Sequence, residues 1–247
     1  MLGLLLGLVM AQEASLPDQY RQDYSFQVSE YQKKYIDYID KKEIYTKYRT
    51  ITSKKDKIDA AKSALIARNT MLKSYLLALR VNFDSFKTLS GITTQKIQIE
   101  LSRWEDWCQE QNLIIDNLNS QNDISSWVDD FQTKYIPIQT VIYTALTQNQ
   151  INQRLLSLEL IKKLAENLKA NPQTGDLLND WLNSLPVKSD LVSAKLKNAQ
   201  DLTQTKQLSN RFINFYSNAK TELNEADRYL QNMLSDLKAV AIKLNQL

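Results

Sequence analysis

Carboxylates beside tryptophans are the residues whose types and spacing come closest to a catalytic arrangement in this sequence. Glu105 and Asp106 lie between two tryptophans in the segment 103–107 (RWEDW), and the segment 127–131 (WVDDF) places two acids after a tryptophan. Such acids could serve as the acid and base of a glycosidase, which needs a defined gap between them and one raised pKa. Adjacent residues of a helix point in different directions, so we expect Trp104 on a packing seam and Glu105 and Asp106 turned outward. We therefore predict solvated acids beside core tryptophans and no catalytic residue.

The single cysteine, Cys108, is the other candidate for chemistry, and the chain has no histidine. Without histidine, neither a Ser-His-Asp nor a Cys-His constellation can form. A zinc site needs several cysteine or histidine ligands. Cys108 also falls on a predicted helix seam, where a thiol is usually a small buried hydrophobe. We expect an unreactive thiol, no internal disulfide and no zinc.

Glycine is scarce, which excludes several binding motifs. Of four glycines, Gly91 and Gly175 fall in predicted turns, and the other two lie in the N-terminal apolar segment. Phosphate-binding loops and dinucleotide-binding fingerprints need several closely spaced glycines. The spacing of an EF-hand calcium loop is also absent. We predict no cofactor, no metal, no small-molecule substrate and no enzymatic activity.

Basic residues cluster in the N-terminal part of the chain, at 33–34, 41–42 and 54–57, although the net charge is only +3. A basic surface could bind nucleic acid or anionic lipid. Acidic residues such as Asp37 and Asp40 are interleaved with these lysines. That mixture is typical of a solvated helix face with local ion pairs. We predict no nucleic-acid partner.

The first ten residues, MLGLLLGLVM, form an uncharged apolar run followed by AQEA. A short apolar run before small residues is typical of a signal peptide, so we predict cleavage after residue 11. The run is too short to span a bilayer as a helix. A signal peptide usually begins with basic residues, and no Lys or Arg precedes this run. The alternative is therefore that the run is the end of a longer leader, which would form an uncleaved membrane anchor. The absence of an N-x-S/T sequon favours a bacterial protein at the cell surface or in the periplasm.

Tyrosine dominates the apolar positions of the first predicted helix, which spans about residues 17–52. Four tyrosines recur every seven residues, at Tyr24, Tyr31, Tyr38 and Tyr45. A row of tyrosines could form a stacking platform for carbohydrate or bases. A heptad spacing favours a packing seam instead, with the hydroxyl groups reaching solvent at its edge.

Three further segments carry apolar residues at a mean spacing of about 3.5 residues, the coiled-coil period. Their seams run from Ile58 to Phe86, from Ile97 to Leu118 and from Phe212 to Leu247. The seams predict long amphipathic helices that pack on one another along their length.

Turns are expected at 52–56, 90–91, 119–123, 171–175 and 185–187. The helix that follows the third turn should bend near Pro137, which lacks a backbone donor. The polar segment 147–152 (TQNQIN) within it indicates either a break or an exposed bend. A short helix at 176–184 and a final helix from Ser189 to the C-terminus complete the chain.

The predicted fold class is all-α: an elongated antiparallel helical bundle with coiled-coil-like packing, built from about five long helices and one short helix. Residues 12–247 would form this bundle, with a sub-boundary in the region 171–188. Short turns between long helices favour antiparallel neighbours.

The function that fits these features is that of an exported structural or interaction protein. Its long helical surface would bind a protein partner or a second copy of itself, with membrane contact as a further option. The alternative is a membrane-active helical protein of the α-pore-forming type.

Overall fold

The computed structural model of the chain describes residues 16–84, 92–169, 178–204 and 212–244. These residues are 97% helical, and none of them lies in a β-strand. The six helices are α1 Leu16–Tyr48, α2 Ile51–Asp84, α3 Ile92–Asp116, α4 Gln121–Lys169, α5 Asn179–Gln204 and α6 Phe212–Leu244. The predicted all-α helical bundle is confirmed. The predicted signal peptide at 1–11, the turn at 90–91 and the loop at 171–175 lie outside the described residues.

Over the described residues of α3 and α6, the predicted apolar seams lie on the inward faces of the helices. On α3, the buried seam residues are Ile97, Leu101, Cys108 and Ile115. On α6, they are Ala219, Leu223, Ala226, Leu230 and Met233. An apolar residue at every third or fourth position lies on one side of a helix, and removing that side from water drives the packing.

The chain divides into two compact units. The first contains the described residues up to Val81 together with Glu105–Ser125. The second contains the described residues between Asn82 and Trp104 together with those from Ser126 onward. The first unit therefore holds α1, most of α2 and the C-terminal half of α3, whereas the second holds nearly all of α4 with α5 and α6.

In the first unit, α2 and α3 run antiparallel. Near the start of α2, Lys62 Nζ donates to the backbone carbonyl of Asp116 at the end of α3, at 2.6 Å. Further along, Asn112 Nδ2 donates to Thr70 Oγ1 at 3.3 Å. Positions that increase along α2 thus face positions that decrease along α3.

In the second unit, α5 and α6 run antiparallel and share one apolar core with the C-terminal half of α4. Trp181 Nε1 donates to the carbonyl of Met233 at 3.0 Å, and Lys195 pairs with Glu222 at 3.2 Å. The indole is buried, so this hydrogen bond satisfies a donor that would otherwise lose its water.

The turn between α1 and α2 lies at residues 49–50, and the turn predicted at 52–56 is inside α2. Arg49 adopts the left-handed conformation (φ 50°), which ends α1. Thr50 Oγ1 then accepts from Ser53 N at 3.1 Å, and Ser53 Oγ accepts from Thr50 N at 3.0 Å. Because of this reciprocal cap, α2 begins at Ile51, before the polar residues 52–56 that the sequence assigns to a turn.

Two helices replace the single long helix predicted from Ser189 to the C-terminus. α5 continues through Pro186, where the sequence predicts a break, and α6 lies antiparallel beside it. Trp181 and Val192 pack into the core on both sides of Pro186, which stabilises the helix despite the missing donor. The spacing of apolar residues cannot distinguish one long helix from two helices that pack on each other, because the same apolar face is buried in both cases.

α4 is a continuous helix of 49 residues that passes through Pro137 and through 147–152. Neither alternative predicted for the polar segment is right, since it is neither broken nor exposed. Its buried polar residues are Thr147, Gln148, Asn149 and Asn152. Ser120 caps the start of α4: its backbone N–H donates to Asp123 Oδ2 at 2.9 Å, and its Oγ accepts from Asp123 N at 3.1 Å.

Candidate interaction surface

α1 differs from the other five helices in its burial. Among residues 18–48, whose side chains are described, none is buried, whereas every other helix contributes several buried residues. Even so, α1 is 33 residues long and carries seven of the twelve tyrosines of the chain. A helix without a buried face has little to hold it beyond its own propensity, so its one-sided contact with α2 is what stabilises it.

The tyrosine row is the side of α1 that faces α2. Its four members, Tyr24, Tyr31, Tyr38 and Tyr45, are half-buried. The ring of Tyr24 lies 5.0 Å from the ring of Tyr75, and Lys57 Nζ lies 4.3 Å above the ring of Tyr45. The first contact joins the N-terminal part of α1 to the C-terminal part of α2. The second joins the C-terminal part of α1 to the N-terminal part of α2, so the two helices are antiparallel. The row is a packing seam, as its heptad spacing predicts.

Large apolar side chains that do not belong to the half-buried row are exposed on α1. Phe26 and Ile36 are each 60% exposed. Tyr35 is 47% exposed, and its ring lies 6.0 Å from that of Tyr31 and 6.3 Å from that of Tyr38. We define the α1 surface by its exposed large apolar residues: Phe26, Tyr35, Ile36, Ile44 and Tyr48.

Charges on α1 balance. The helix carries six basic and six acidic residues. Lys33 Nζ donates to Glu30 Oε1 at 2.7 Å, and this hydrogen bond holds the pKa of the Glu30 carboxyl below its ordinary value. Arg21 lies 3.5 Å from Asp18 in the same i, i+3 relation. The lysine clusters therefore sit among acids, as the interleaved sequence predicts.

The carboxylates singled out in the sequence fall into two environments. Asp106, Asp129 and Asp130 are exposed, as predicted. Glu105 is buried, so the prediction that it turns outward is wrong. The Arg80 guanidinium of α2 donates to both oxygens of Glu105, at 2.8 and 2.9 Å, and this pairing is what allows the carboxylate to leave water.

Cys108 lies on the buried face of α3 with no exposed surface. Burial raises the pKa of its thiol to about 12, which keeps the sulfur protonated at neutral pH. A buried, protonated thiol is a poor nucleophile. The prediction of a buried, hydrophobe-like cysteine is confirmed.

A polar layer inside the second unit was missed by sequence reasoning. We define it by its buried members on α4: Thr147, Gln148, Asn149 and Asn152. Gln148 Nε2 donates to Asn152 Oδ1 at 2.9 Å, and Thr147 Oγ1 donates to the Tyr143 carbonyl at 2.9 Å. The only signal in the sequence was the absence of glycine and proline from the TQNQIN segment, which is compatible with a continuous helix.

Three further features bear on function: metal ligation, the length of apolar stretches and similarity to known proteins. Within the described ranges, no group of three or more His, Cys, Asp or Glu side chains is placed to hold a metal ion. None of the helices described contains an apolar stretch of the length that crossing a membrane requires. Comparison with protein-family models, curated proteins and solved structures gives no match.

Proposed function

We propose that this chain is an exported, non-catalytic interaction protein that binds a protein partner, or a second copy of itself, through the α1 surface. The observation that carries the proposal is the burial of α1. A 33-residue helix rich in tyrosine has no buried residue between positions 18 and 48, while Phe26 and Ile36 are each 60% exposed.

The composition of the α1 surface supports a protein as the partner. The cores of protein interfaces are enriched in Tyr and Phe and depleted of charge, whereas their rims are polar. On α1, aromatic and aliphatic side chains stand among paired charges such as Lys33 and Glu30. Tyrosine provides large contact area at low cost in side-chain entropy and keeps a hydroxyl for hydrogen bonding.

The two best candidates for catalysis in the sequence, Glu105 and Cys108, lie in environments that favour a binding function over a catalytic one. Glu105 is neutralised by Arg80, and the Cys108 thiol is buried with its pKa raised to about 12. A catalytic acid or nucleophile has to be free to meet a substrate. The export part of the proposal rests on the apolar N-terminal run and the small residue after it.

A matched pair of surface variants tests the proposal. The α1 variant is F26S/I36S/I44S, and the control is L156S/L160S/L164S, which removes three exposed apolar residues from α4. Each tagged full-length protein is incubated with solubilised cell envelope and, separately, with untagged wild-type protein. The proposal predicts that wild type and control retain the same discrete partner, or the second copy, and that the α1 variant loses it.

The opposite result contradicts the proposal: the α1 variant retains the partner while the α4 control loses it, or neither changes binding. Circular dichroism of both variants checks that the helices persist. Serine has about the same helix propensity as the Phe and Ile residues replaced on α1 and a lower one than the leucines replaced on α4. Loss of the partner by the α1 variant alone therefore reports on the surface rather than on helix content.

A further inference from the structure

The antiparallel helices α1 and α2 form a hairpin whose closed end lies at the turn between them. We call residues 47–57 the hairpin tip. Lys62 Nζ donates to the carbonyl of Asp116, the last residue of α3, so Lys62 lies level with the end of that helix. At about 1.5 Å per residue, Ile51 lies about 16 Å beyond Lys62 along α2. Within the first unit, the hairpin tip therefore extends past the end of α3.

Large apolar side chains are exposed at the hairpin tip, one on each side of the turn. Ile51 is 91% exposed, the largest exposed fraction among the large apolar residues that the structure describes, and Tyr48 is 59% exposed. The first buried apolar residue of α2 is Ile58, which follows the tip. Packing of the core therefore does not explain why an isoleucine and a tyrosine stand at this end of the hairpin.

The hairpin tip is also strongly basic. Five basic residues stand against one acidic residue, Asp56, which gives a net charge of +4 over residues 47–57. Further along α1, Lys33 is paired with Glu30 at 2.7 Å. Within the part of the chain that the structure describes, none of the five basic side chains of the tip forms an ion pair with a carboxylate. Their charge is therefore not neutralised by the protein itself.

Helix stability does not account for these charges. The N-terminus of a helix carries a partial positive charge, so acidic residues stabilise it and lysines destabilise it. The first turn of α2 contains no acidic residue, and Lys54 and Lys55 lie at its end. Arg49 adopts a φ of 50°, a conformation that Gly or Asn reaches at lower cost. The cations thus stand at the tip against the local conformational and electrostatic preferences.

A bilayer that contains anionic lipid matches this combination of exposed side chains. Its phosphate groups attract Lys and Arg near the surface. Aliphatic side chains enter the boundary between headgroups and acyl chains, and tyrosine is enriched at the same depth. The phosphates of a nucleic acid would attract the same cations. They would offer no apolar environment to Ile51, however, so the exposed isoleucine favours the membrane surface.

We propose that the hairpin tip docks on the surface of an anionic lipid bilayer, with Ile51 inserted between the headgroups and the basic side chains against the phosphates. This inference goes beyond the protein binding proposed for the α1 surface and does not rest on it, because Ile51, Lys54 and Lys55 lie outside that surface. Tyr48 belongs to both surfaces and is therefore left unchanged in the test.

Binding of the full-length protein to sedimented vesicles tests the proposal. The vesicles consist of phosphatidylcholine with or without phosphatidylglycerol, at low and at high salt. The test variants are I51Q and K54Q/K55Q. The first control is I99Q, which changes a 67% exposed isoleucine of α3. The second is K33Q/K34Q, which removes two exposed, adjacent lysines of α1 outside the tip. Each control matches its test variant in the residues exchanged.

The proposal predicts binding to the anionic vesicles that disappears on pure phosphatidylcholine and at high salt. I51Q and K54Q/K55Q should each lower the partition coefficient by at least about fivefold, and the controls by less than about twofold. No binding to anionic vesicles, or equal losses from test and control variants, overturns the proposal. So does binding that K54Q/K55Q weakens and I51Q leaves unchanged, because a phosphate-binding surface for nucleic acid would then suffice.

A fluorophore at the hairpin tip reports on insertion directly. The environment-sensitive dye NBD is attached to I51C or, as the control, to I99C, each in the full-length C108A protein. Anionic vesicles should shift the emission of the label at position 51 to shorter wavelength and leave that at position 99 unchanged, since only the first would enter the headgroup boundary. Vesicle binding without a shift at position 51, or with equal shifts at both positions, overturns docking through the tip.

Discussion

The guanidinium of Arg80 on α2 donates hydrogen bonds to both carboxylate oxygens of Glu105 on α3, from Nε at 2.8 Å and from Nη2 at 2.9 Å. The Glu105 side chain is 7% exposed, whereas that of Arg80 is 36% exposed. The carboxylate is thus the buried member of the pair and depends on the arginine for its stability. Two parallel hydrogen bonds also fix the orientation of the two helices at this level.

Removing the arginine of this pair should destabilise the first unit. We expect R80A to lower the free energy of unfolding by about 2–3 kcal/mol, because Glu105 would stay buried without its partner. The control is R103A, since Arg103 and Glu100 form an exposed pair at 3.7 Å. R103A should lower the free energy of unfolding by less than about 0.5 kcal/mol. Urea denaturation followed by circular dichroism measures both, and equal losses would contradict the assignment of a buried pair.

Asn69 on α2 is a second buried polar residue of the first unit, with no exposed surface. Neither Asn69 Oδ1 nor Nδ2 has a hydrogen-bond partner among the described residues. We expect N69L to raise the free energy of unfolding by about 1–2 kcal/mol, because it removes an unsatisfied amide from the core. N183L, at an exposed position on α5, should change it by less than about 0.5 kcal/mol. A lower urea midpoint for N69L than for wild type would show that the amide is satisfied in solution.

The Cys108 thiol should be protected in the folded protein. Burial raises its pKa to about 12, so both access and thiolate concentration are low near neutral pH. We expect a thiol reagent such as DTNB to titrate no thiol in the native protein and one thiol in concentrated urea. S25C in the C108A protein, with its cysteine on the exposed side of α1, should react without denaturant. Rapid reaction of native wild type would refute the burial of Cys108.

The charge cluster between α5 and α6 should make stability depend on pH. Lys195 Nζ lies 2.5 Å from Glu225 Oε2, and the hydrogen bond from Lys195 holds the pKa of Glu225 below its ordinary value. A carboxyl whose pKa is lower in the folded state stabilises that state above its ordinary pKa. The contribution is lost as the pH falls through the lowered value.

Accordingly, E225Q should lower the urea midpoint at about pH 7 and have almost no effect at about pH 2. The matched control is E166Q, which changes an exposed glutamate of α4 and should behave alike at both pH values. The same contacts raise the pKa of Lys195, so its contribution persists through neutral pH and is lost only in strong alkali. An E225Q effect that does not shrink in acid would exclude this pair as its source.

Periodicity was enough to predict the all-α fold class and the inward faces of α3 and α6, although not the bounds of every helix. The seam of α3 through Ile97, Leu101 and Cys108, and that of α6 from Ala219 to Met233, are buried as predicted. A helix seam is a local property, because side chains three or four positions apart share a face whatever packs against them.

The misplaced features depend on contacts between distant parts of the chain or on single hydrogen bonds. Glu105 turned out buried because Arg80, 25 positions earlier, neutralises it. The segment 147–152 is polar but enclosed by the second unit, and no local pattern reveals that enclosure. The end of α1 is set by the left-handed backbone of Arg49, a conformation that the residue type does not favour.

The most direct test of the proposed interaction is site-specific photo-crosslinking in intact cells of the native host. Benzoylphenylalanine is introduced at Ile36 on the α1 surface or, as the control, at Leu160 on α4, both exposed positions of similar accessibility. The proposal predicts one discrete adduct, with a partner or with a second copy, from position 36 and none of that size from position 160. The absence of any adduct from position 36, or the same adduct from both positions, would contradict binding through α1.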